Sequence, residues 1–170
     1  MPWIILAVVT WVVGLGAVPQ ESFRKLVPFS LIAGFGLAML INLMGASIFR
    51  LWGFTQLSWP ILGTPFWVLL AWVPTVIVFV YFLPTSSLPR LAWILLFPAA
   101  YTAIDYLFLR AGYRFFSPDW NLAYAFLLSL GVHLLILSFY LVSVRRPEAT
   151  LSATTSMRER SGGRNPGGVS

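Results

Sequence analysis

Apolar residues run almost without interruption through five stretches of the first 145 residues. Most of these stretches reach the roughly 20 residues that an α-helix needs to cross a bilayer. They do not alternate with period two, as the strands of a transmembrane barrel do. Because hydrocarbon leaves backbone polar groups no outside partner, unbroken apolar runs favour helices. The pattern predicts an all-α, polytopic transmembrane bundle of five helices, with spans at approximately 3–18, 26–49, 61–83, 91–110 and 122–144.

The pattern changes near residue 147, where Ser, Thr, Gly, Arg and Pro replace the apolar residues. Such a segment cannot bury enough apolar surface to offset the entropy lost on ordering. We therefore predict a transmembrane helical domain over 1–146 and a disordered cytoplasmic tail over 147–170.

Composition narrows the class of protein. The chain is 59% hydrophobic and 9% charged, against roughly 25% charged residues in soluble domains. A lipid bilayer is thus the expected surrounding partner, and the net charge of +6 does not indicate nucleic acid, because the basic residues follow the ends of apolar runs. Cysteine is absent, which excludes thiol nucleophiles and iron–sulfur sites. One histidine and one acid inside an apolar run are too few for zinc, so neither a metal, a cofactor nor catalysis is expected.

Lys and Arg indicate the orientation, because short loops rich in these residues stay cytoplasmic. Placing the N-terminus outside the cell membrane and the C-terminus in the cytoplasm puts most of them inside, whereas Arg50, Arg110 and Arg114 fall outside. The inner set near the spans is Arg24, Lys25, Arg90, Arg145 and Arg146. The aromatic loops 50–60 and 111–121, which include Trp52 and Trp120, are expected to lie against the membrane surface.

Small residues recur every four positions in the second apolar run, at Ser30, Gly34, Ala38 and Ala46, with Asn42 in the same register. This spacing places them on one helix face, where small side chains allow two backbones to approach closely. We predict a helix-packing seam with Asn42 hydrogen-bonding across it. The alternative is a polar lining to a pathway.

Asp105 is the one carboxylate within an apolar run, and Tyr101 lies one turn earlier on the same face. Intramembrane acids usually face the protein interior and find a partner. We expect a structural ion pair with Arg110 or Arg114, and a proton or cation site is the alternative.

His133 is the single histidine and lies half-way along the fifth apolar run, four residues after Ser129. A neutral imidazole bonded to a neighbouring helix is the ordinary outcome. A proton relay between Asp105 and His133 is the sharper hypothesis, but helical rise alone puts His133 roughly 9 Å deeper, which leaves only a water chain to join them.

Short motifs resemble a family of small, uncharacterised multi-pass membrane proteins from spore-forming Firmicutes. They are the loop VPQESFRKLVPF, the Trp59–Pro60 pair, the Phe82–Pro84 segment, and AIDYLFLRAGYRFFSPDW with Asp105 and Trp120. The family pattern has Glu where Asp105 stands, and it has an acid early in the third span that is absent here. The resemblance implies a bacterial membrane protein of four or five helices and implies no activity.

The residues together favour a structural or accessory membrane protein without catalysis, acting through a homo-oligomer or a membrane-protein partner. The alternative is a small transporter or channel subunit that oligomerises through the packing seam and uses Asp105, with or without His133. An intramembrane enzyme is the least favoured interpretation.

Overall fold

The computed structural model describes residues 2–57 and 59–145, and the chain within these ranges is mostly helical. It contains five continuous helices in the described part: α1 (Pro2–Ala17), α2 (Gln20–Ile48), α3 (Phe66–Tyr81), α4 (Ser87–Arg110) and α5 (Leu122–Tyr140). A π-helical turn, Leu141–Arg145, follows α5 directly. The tail predicted to be disordered, 147–170, lies outside the described residues.

Each of these five helices overlaps one of the five apolar runs, and three of them are long and apolar enough to cross a membrane. These are α2, α4, and α5 taken to Ser143, with mean hydropathies of 2.0, 1.5 and 2.2. Helices α1 and α3 are equally apolar but have 16 residues each, which gives them about 24 Å of length. Length and composition thus give three candidate spans where five were predicted.

The predicted start of the third helix at Ile61 is wrong. Strand β2 (Pro60–Ile61) pairs antiparallel with β3 (Thr64–Pro65), and α3 begins only at Phe66. Leu62 and Gly63 between the strands both have positive φ, 49° and 77°, as a tight hairpin turn requires. Pro65 adds a second reason, because the residue before a proline avoids helical angles.

Helix α2 begins at Gln20, earlier than the predicted start at Leu26, because the charged segment after Pro19 is itself helical. An ion pair between Lys25 and Glu21, 2.8 Å long and one turn apart, supports this segment. Helix α4 similarly begins at Ser87 rather than at Leu91.

Helix α2 contains two π-helical stretches, Leu31–Gly36 and Leu43–Ile48. Each follows directly after a polar side chain that bonds the carbonyl four residues back: Ser30 Oγ donates to Leu26 O at 3.0 Å, and Asn42 Nδ2 donates to Ala38 O at 2.8 Å. Side chains that occupy such carbonyls compete with the backbone N–H groups. The two polar residues therefore explain where the helix widens.

Helix α3 forms the core. Leu69, Ile77 and Phe79 are fully buried at 0% exposure, and both α1 and α2 pack along this helix. Helix α4 is fastened to it by side chains: Trp93 Nε1 donates to Phe79 O at 3.0 Å, and the Tyr101 hydroxyl donates to Thr75 Oγ1 at 2.9 Å. The chain divides into two compact units, Met1–Ile136 and Leu137–Ser170; of the second, the structure describes 137–145.

Two loops and the N-terminal end of α1 meet at one end of the first unit. Strand β1 (Trp52–Phe54) pairs antiparallel with β4 (Arg114–Phe116), with Phe54 opposite Arg114. Trp3 Nε1 donates to the carbonyl of Thr55 at 3.2 Å. We call β1 and β4 the ribbon. The expectation that Trp52 lies against the membrane surface is wrong, because its ring is 4% exposed and packs with Trp3 and Phe54.

Candidate functional site

An ion pair between Asp105 of α4 and Arg114 of β4 lies directly under the ribbon. The side chains are 17% and 15% exposed, respectively. Pairing of β4 with β1 holds Arg114 in place, and its guanidinium also lies over three aromatic rings. The distances from Cζ to the ring centroids are 5.6 Å for Trp52, 5.3 Å for Phe54 and 5.5 Å for Phe116. Sequence analysis predicted Arg110 or Arg114 as the partner of Asp105, and the structure pairs Asp105 with Arg114.

Two features of the surroundings shift the pKa of Arg114 in opposite directions. Burial lowers the pKa of the Arg114 guanidinium, while the neighbouring Asp105 carboxylate raises it. Arginine starts from so high a value that it remains protonated in proteins. Paired with the Asp105 carboxylate, the guanidinium forms an ion pair without net charge.

Asn42 joins α2 to the ribbon. Its Nδ2 donates within its own helix, and its Oδ1 accepts a hydrogen bond from Trp52 Nε1 at 3.1 Å. Asn42 thus binds a strand in the following loop, whereas the sequence predicted a bond to a neighbouring helix. Since Trp52 also lies beneath the Arg114 guanidinium, Asn42 and the ion pair hold the same indole ring.

The other members of the predicted packing seam face the interior of the same chain. Ser30 and Ala38 are buried, and a Cβ on Gly34 would stand 2.8 Å from the carbonyl oxygen of Trp72 in α3. Ala46 packs against the cluster of Trp3, Trp52 and Phe54. The seam is therefore covered by α3 and by the ribbon, and a second copy of the chain would have to bind elsewhere.

His133 lies in an aromatic cage, with its ring centroid 5.0 to 5.9 Å from those of four neighbouring rings. They are Trp72, Phe79, Phe97 and Tyr101. Its Nδ1 is 2.7 Å from the carbonyl oxygen of Ser129, and because a carbonyl only accepts, Nδ1 carries the proton. Nε2 has no hydrogen-bond partner among the described residues. The predicted bond to a neighbouring helix is replaced by one within α5.

Asp105 and His133 share no hydrogen bond within the described chain, since Asp105 pairs with Arg114 and His133 with its own helix. Tyr101 is the side chain common to both neighbourhoods. Its ring stacks on Trp72 at 4.7 Å and packs against His133, while it also lines the cavity beside Asp105.

That cavity has a volume of about 100 Å³ and lies between α1, α2, α3, α4, α5 and the ribbon. Its walls are mostly aromatic and aliphatic. Its polar lining includes Asn42, Tyr101, Thr102, Asp105, Arg114, Trp120 and Ser129. Three polar atoms on these side chains are buried and lack a hydrogen-bond partner in the part of the chain that the structure describes: Arg114 Nε, Trp120 Nε1 and Ser129 Oγ.

Sequence analysis predicted Asp105, Tyr101 and Asn42 as site residues. It did not identify Trp120, which lines the cavity, or Thr75, which accepts the hydrogen bond from Tyr101. Trp120 follows Arg114 in an aromatic loop whose composition resembles an interfacial belt, and nothing in its spacing indicates a cavity. Thr75 lies within an apolar run, and nothing in its spacing indicates the hydrogen bond that it accepts from Tyr101. In residues 2–57 and 59–145, no group of three or more His, Asp or Glu side chains is arranged to hold a metal ion.

Neither a protein-family model, nor a curated protein, nor a solved structure matches this chain. The resemblance to the Firmicutes family therefore stays a prediction, and any inference about function depends on the geometry described above.

Proposed function

We propose that this chain is an integral protein of the cell membrane that crosses the bilayer five times, with the N-terminus outside. The support is the apolar character of its exposed surface. In the most apolar 18-residue stretches of α4 and α5, only 11% and 22% of the residues are buried. On α1, Ile5 and Val12 are 64% and 65% exposed. Helices with such outward faces are stable when lipid surrounds them.

The meeting of the N-terminal end of α1 with both long loops supports the number of crossings. A chain that starts outside and crosses twice through α1 and α2 returns its next loop to the outside. Two further crossings through α3 and α4 return the β4 loop there as well, where it pairs with β1. Helix α3, although short, is shielded by its neighbours, and α1 can be accommodated by local thinning of the bilayer.

Within the membrane, we propose a structural or accessory role without catalysis. The observation that carries this proposal is the ion pair between Asp105 and Arg114, boxed by the rings of Trp52, Phe54 and Phe116. The acid of the apolar run is thereby engaged in fastening α4 to the ribbon. A rigid, aromatic outer end of this kind suits a protein that supports or presents a surface to another membrane protein.

Ion flux in reconstituted vesicles tests this role. Purified full-length chain in liposomes carrying a pH-sensitive dye is expected to add no proton or cation flux above that of protein-free vesicles. The Asp105→Asn variant should give the same baseline. The proposal fails if the wild type conducts and Asp105→Asn, shown by circular dichroism to be folded at the temperature of the assay, does not.

The cavity beside Asp105 favours one second candidate, a transporter or channel subunit that uses this acid. The same vesicles distinguish the two roles, because only the second candidate predicts a flux that depends on Asp105. If that candidate holds and the subunit is oligomeric, its interface has to lie away from the packing seam, which α3 already covers.

A further inference from the structure

Two buried donors on the cavity wall have no acceptor in the described part of the chain. Arg114 Nε and Trp120 Nε1 can donate hydrogen bonds but cannot accept them. Both residues pack against the same ring, since the indoles of Trp120 and Trp52 are 5.2 Å apart and the Arg114 guanidinium lies over Trp52. A buried donor without a partner is costly. An acceptor-bearing molecule seated between these two side chains would satisfy both donors.

The size and walls of the cavity restrict what that molecule is. About 100 Å³ is smaller than the 150 Å³ of an apolar cavity known to take up benzene. A five-membered ring is close to this size, whereas a whole lipid acyl chain is larger than the space. The walls around the donors are the faces and edges of Trp52, Trp120 and Phe108, which favour an apolar body.

The charge of the cavity wall further restricts which molecule can bind there. Asp105 and Arg114 neutralise one another, so the cavity offers no unbalanced charge to an ion. An anion that bound Arg114 would have to displace or face the Asp105 carboxylate. The ligand that fits therefore carries no net charge and presents a hydrogen-bond acceptor.

We propose that the cavity under the ribbon binds a compact, uncharged carbonyl compound, with the carbonyl oxygen accepting from Trp120 Nε1 and Arg114 Nε and a small apolar ring against the indoles. This site does not depend on the accessory role or the topology proposed above. Ordered water offers the same acceptor chemistry and is the outcome that the experiment has to separate from binding.

The experiment uses a matched pair of probes, cyclopentanone and methylenecyclopentane, which have the same shape and differ in the carbonyl oxygen. Full-length ¹⁵N-labelled protein in detergent micelles is titrated with each probe, and the indole N–H signals of its eight tryptophans are followed by NMR. Cyclopentanone is expected to shift the Trp120 indole signal saturably and to bind about tenfold more tightly than methylenecyclopentane.

Trp93 is the internal control, because its indole already donates to Phe79 O and its ring is not part of the cavity wall. Its signal should stay in place. A shift shared equally by Trp93 would mean that the probes only dissolve in the micelle, and this overturns the proposal. An unmoved Trp120 signal, as expected for donors that hold water alone, overturns it too, as does equal affinity for the two probes.

Two variants separate the effect of the hydrogen-bond donor from the effect of the cavity volume. Trp120→Phe keeps an aromatic side chain but removes the donor, so the preference for cyclopentanone over methylenecyclopentane, now read from the Trp52 indole signal, should fall severalfold. Ala125→Leu adds volume to the wall and should abolish binding of both probes. Should either variant fail to fold, the wild-type comparison of the two probes still decides. A retained preference in folded Trp120→Phe contradicts the assignment.

Discussion

A carboxylate near the end of an apolar helix can find its counter-ion on its own helix or in the loop that follows. Arg110 lies five residues after Asp105, which at 100° per residue turns it to a different side of α4. Arg110 is exposed, and Arg114 reaches the carboxylate because β4 folds back over the helix end. The pairing of strands across two loops, which lies beyond helical periodicity, therefore decides the partner of Asp105.

A double-mutant cycle measures this pair. Asp105→Asn and Arg114→Gln are each expected to lower the free energy of unfolding by about 3–5 kcal/mol, because each leaves the other charge buried and alone. The double variant should cost clearly less than the two single costs added together. Unfolding is followed by circular dichroism in detergent. The exposed pair of Glu21 and Lys25 is the matched control, and Glu21→Gln should leave the transition unchanged. Additive losses at Asp105 and Arg114 would show that they act separately.

The His133 ring provides a second residue-scale prediction. Since Nε2 is buried without a partner in the described chain, His133→Phe replaces an unsatisfied acceptor by a ring that suits the aromatic cage. We expect its thermal stability to be equal to or higher than that of the wild type. Tyr101→Phe, which loses the bond to Thr75, should lower the free energy of unfolding by about 1 kcal/mol. A large loss of stability in His133→Phe would mean that the imidazole has a partner there.

At the scale of the helix, α2 is the clearest test of close packing. Gly34 and Gly36 lie two residues apart in one π-helical stretch, but their surroundings differ. A Cβ on Gly34 would meet the Trp72 carbonyl oxygen at 2.8 Å, whereas a Cβ on Gly36 would meet nothing nearer than 3.5 Å. Gly34→Ala is therefore expected to lower the free energy of unfolding by about 1–3 kcal/mol. Gly36→Ala should be neutral or slightly stabilising, because alanine is the better helix former. Equal melting temperatures for the two variants would contradict the close contact between α2 and α3.

Hydrophobic pattern alone predicted the number of helices in the described part of the chain and roughly where they lie, because an uninterrupted apolar run long enough for a helix has few other structures open to it. It failed at Ile61, where Leu62 and Gly63 make a hairpin turn within an apolar stretch. Four-residue spacing grouped Gly34 with Ala38, and both are buried, but it gave no information about the helix that they face. The cavity depends on the ribbon, whose strands are joined across about 60 residues, and short-range patterns carry no signal for such a pairing.

For the whole molecule, the placement of the loops gives a prediction about topology. The chain has no cysteine, so one introduced cysteine is a unique label. Ala111, in the loop before β4, and Ser86, before α4, are both exposed and lie at opposite ends of α4. In intact cells, a membrane-impermeant maleimide should label Ala111→Cys, whereas Ser86→Cys should react only after the membrane is permeabilised.

The outcomes of this labelling separate insertion from orientation. The reverse pattern would invert α4, which with five crossings places the N-terminus inside and adds Arg110 and Arg114 to the cytoplasmic positive charges. Labelling of both sites in intact cells would mean that α4 does not cross the bilayer. Alkaline carbonate washing provides the independent control, since a chain held by apolar helices stays with the membrane pellet. Release of the wild type into the supernatant would contradict a lipid environment for α4 and α5, and with it the explanation for their exposed apolar faces.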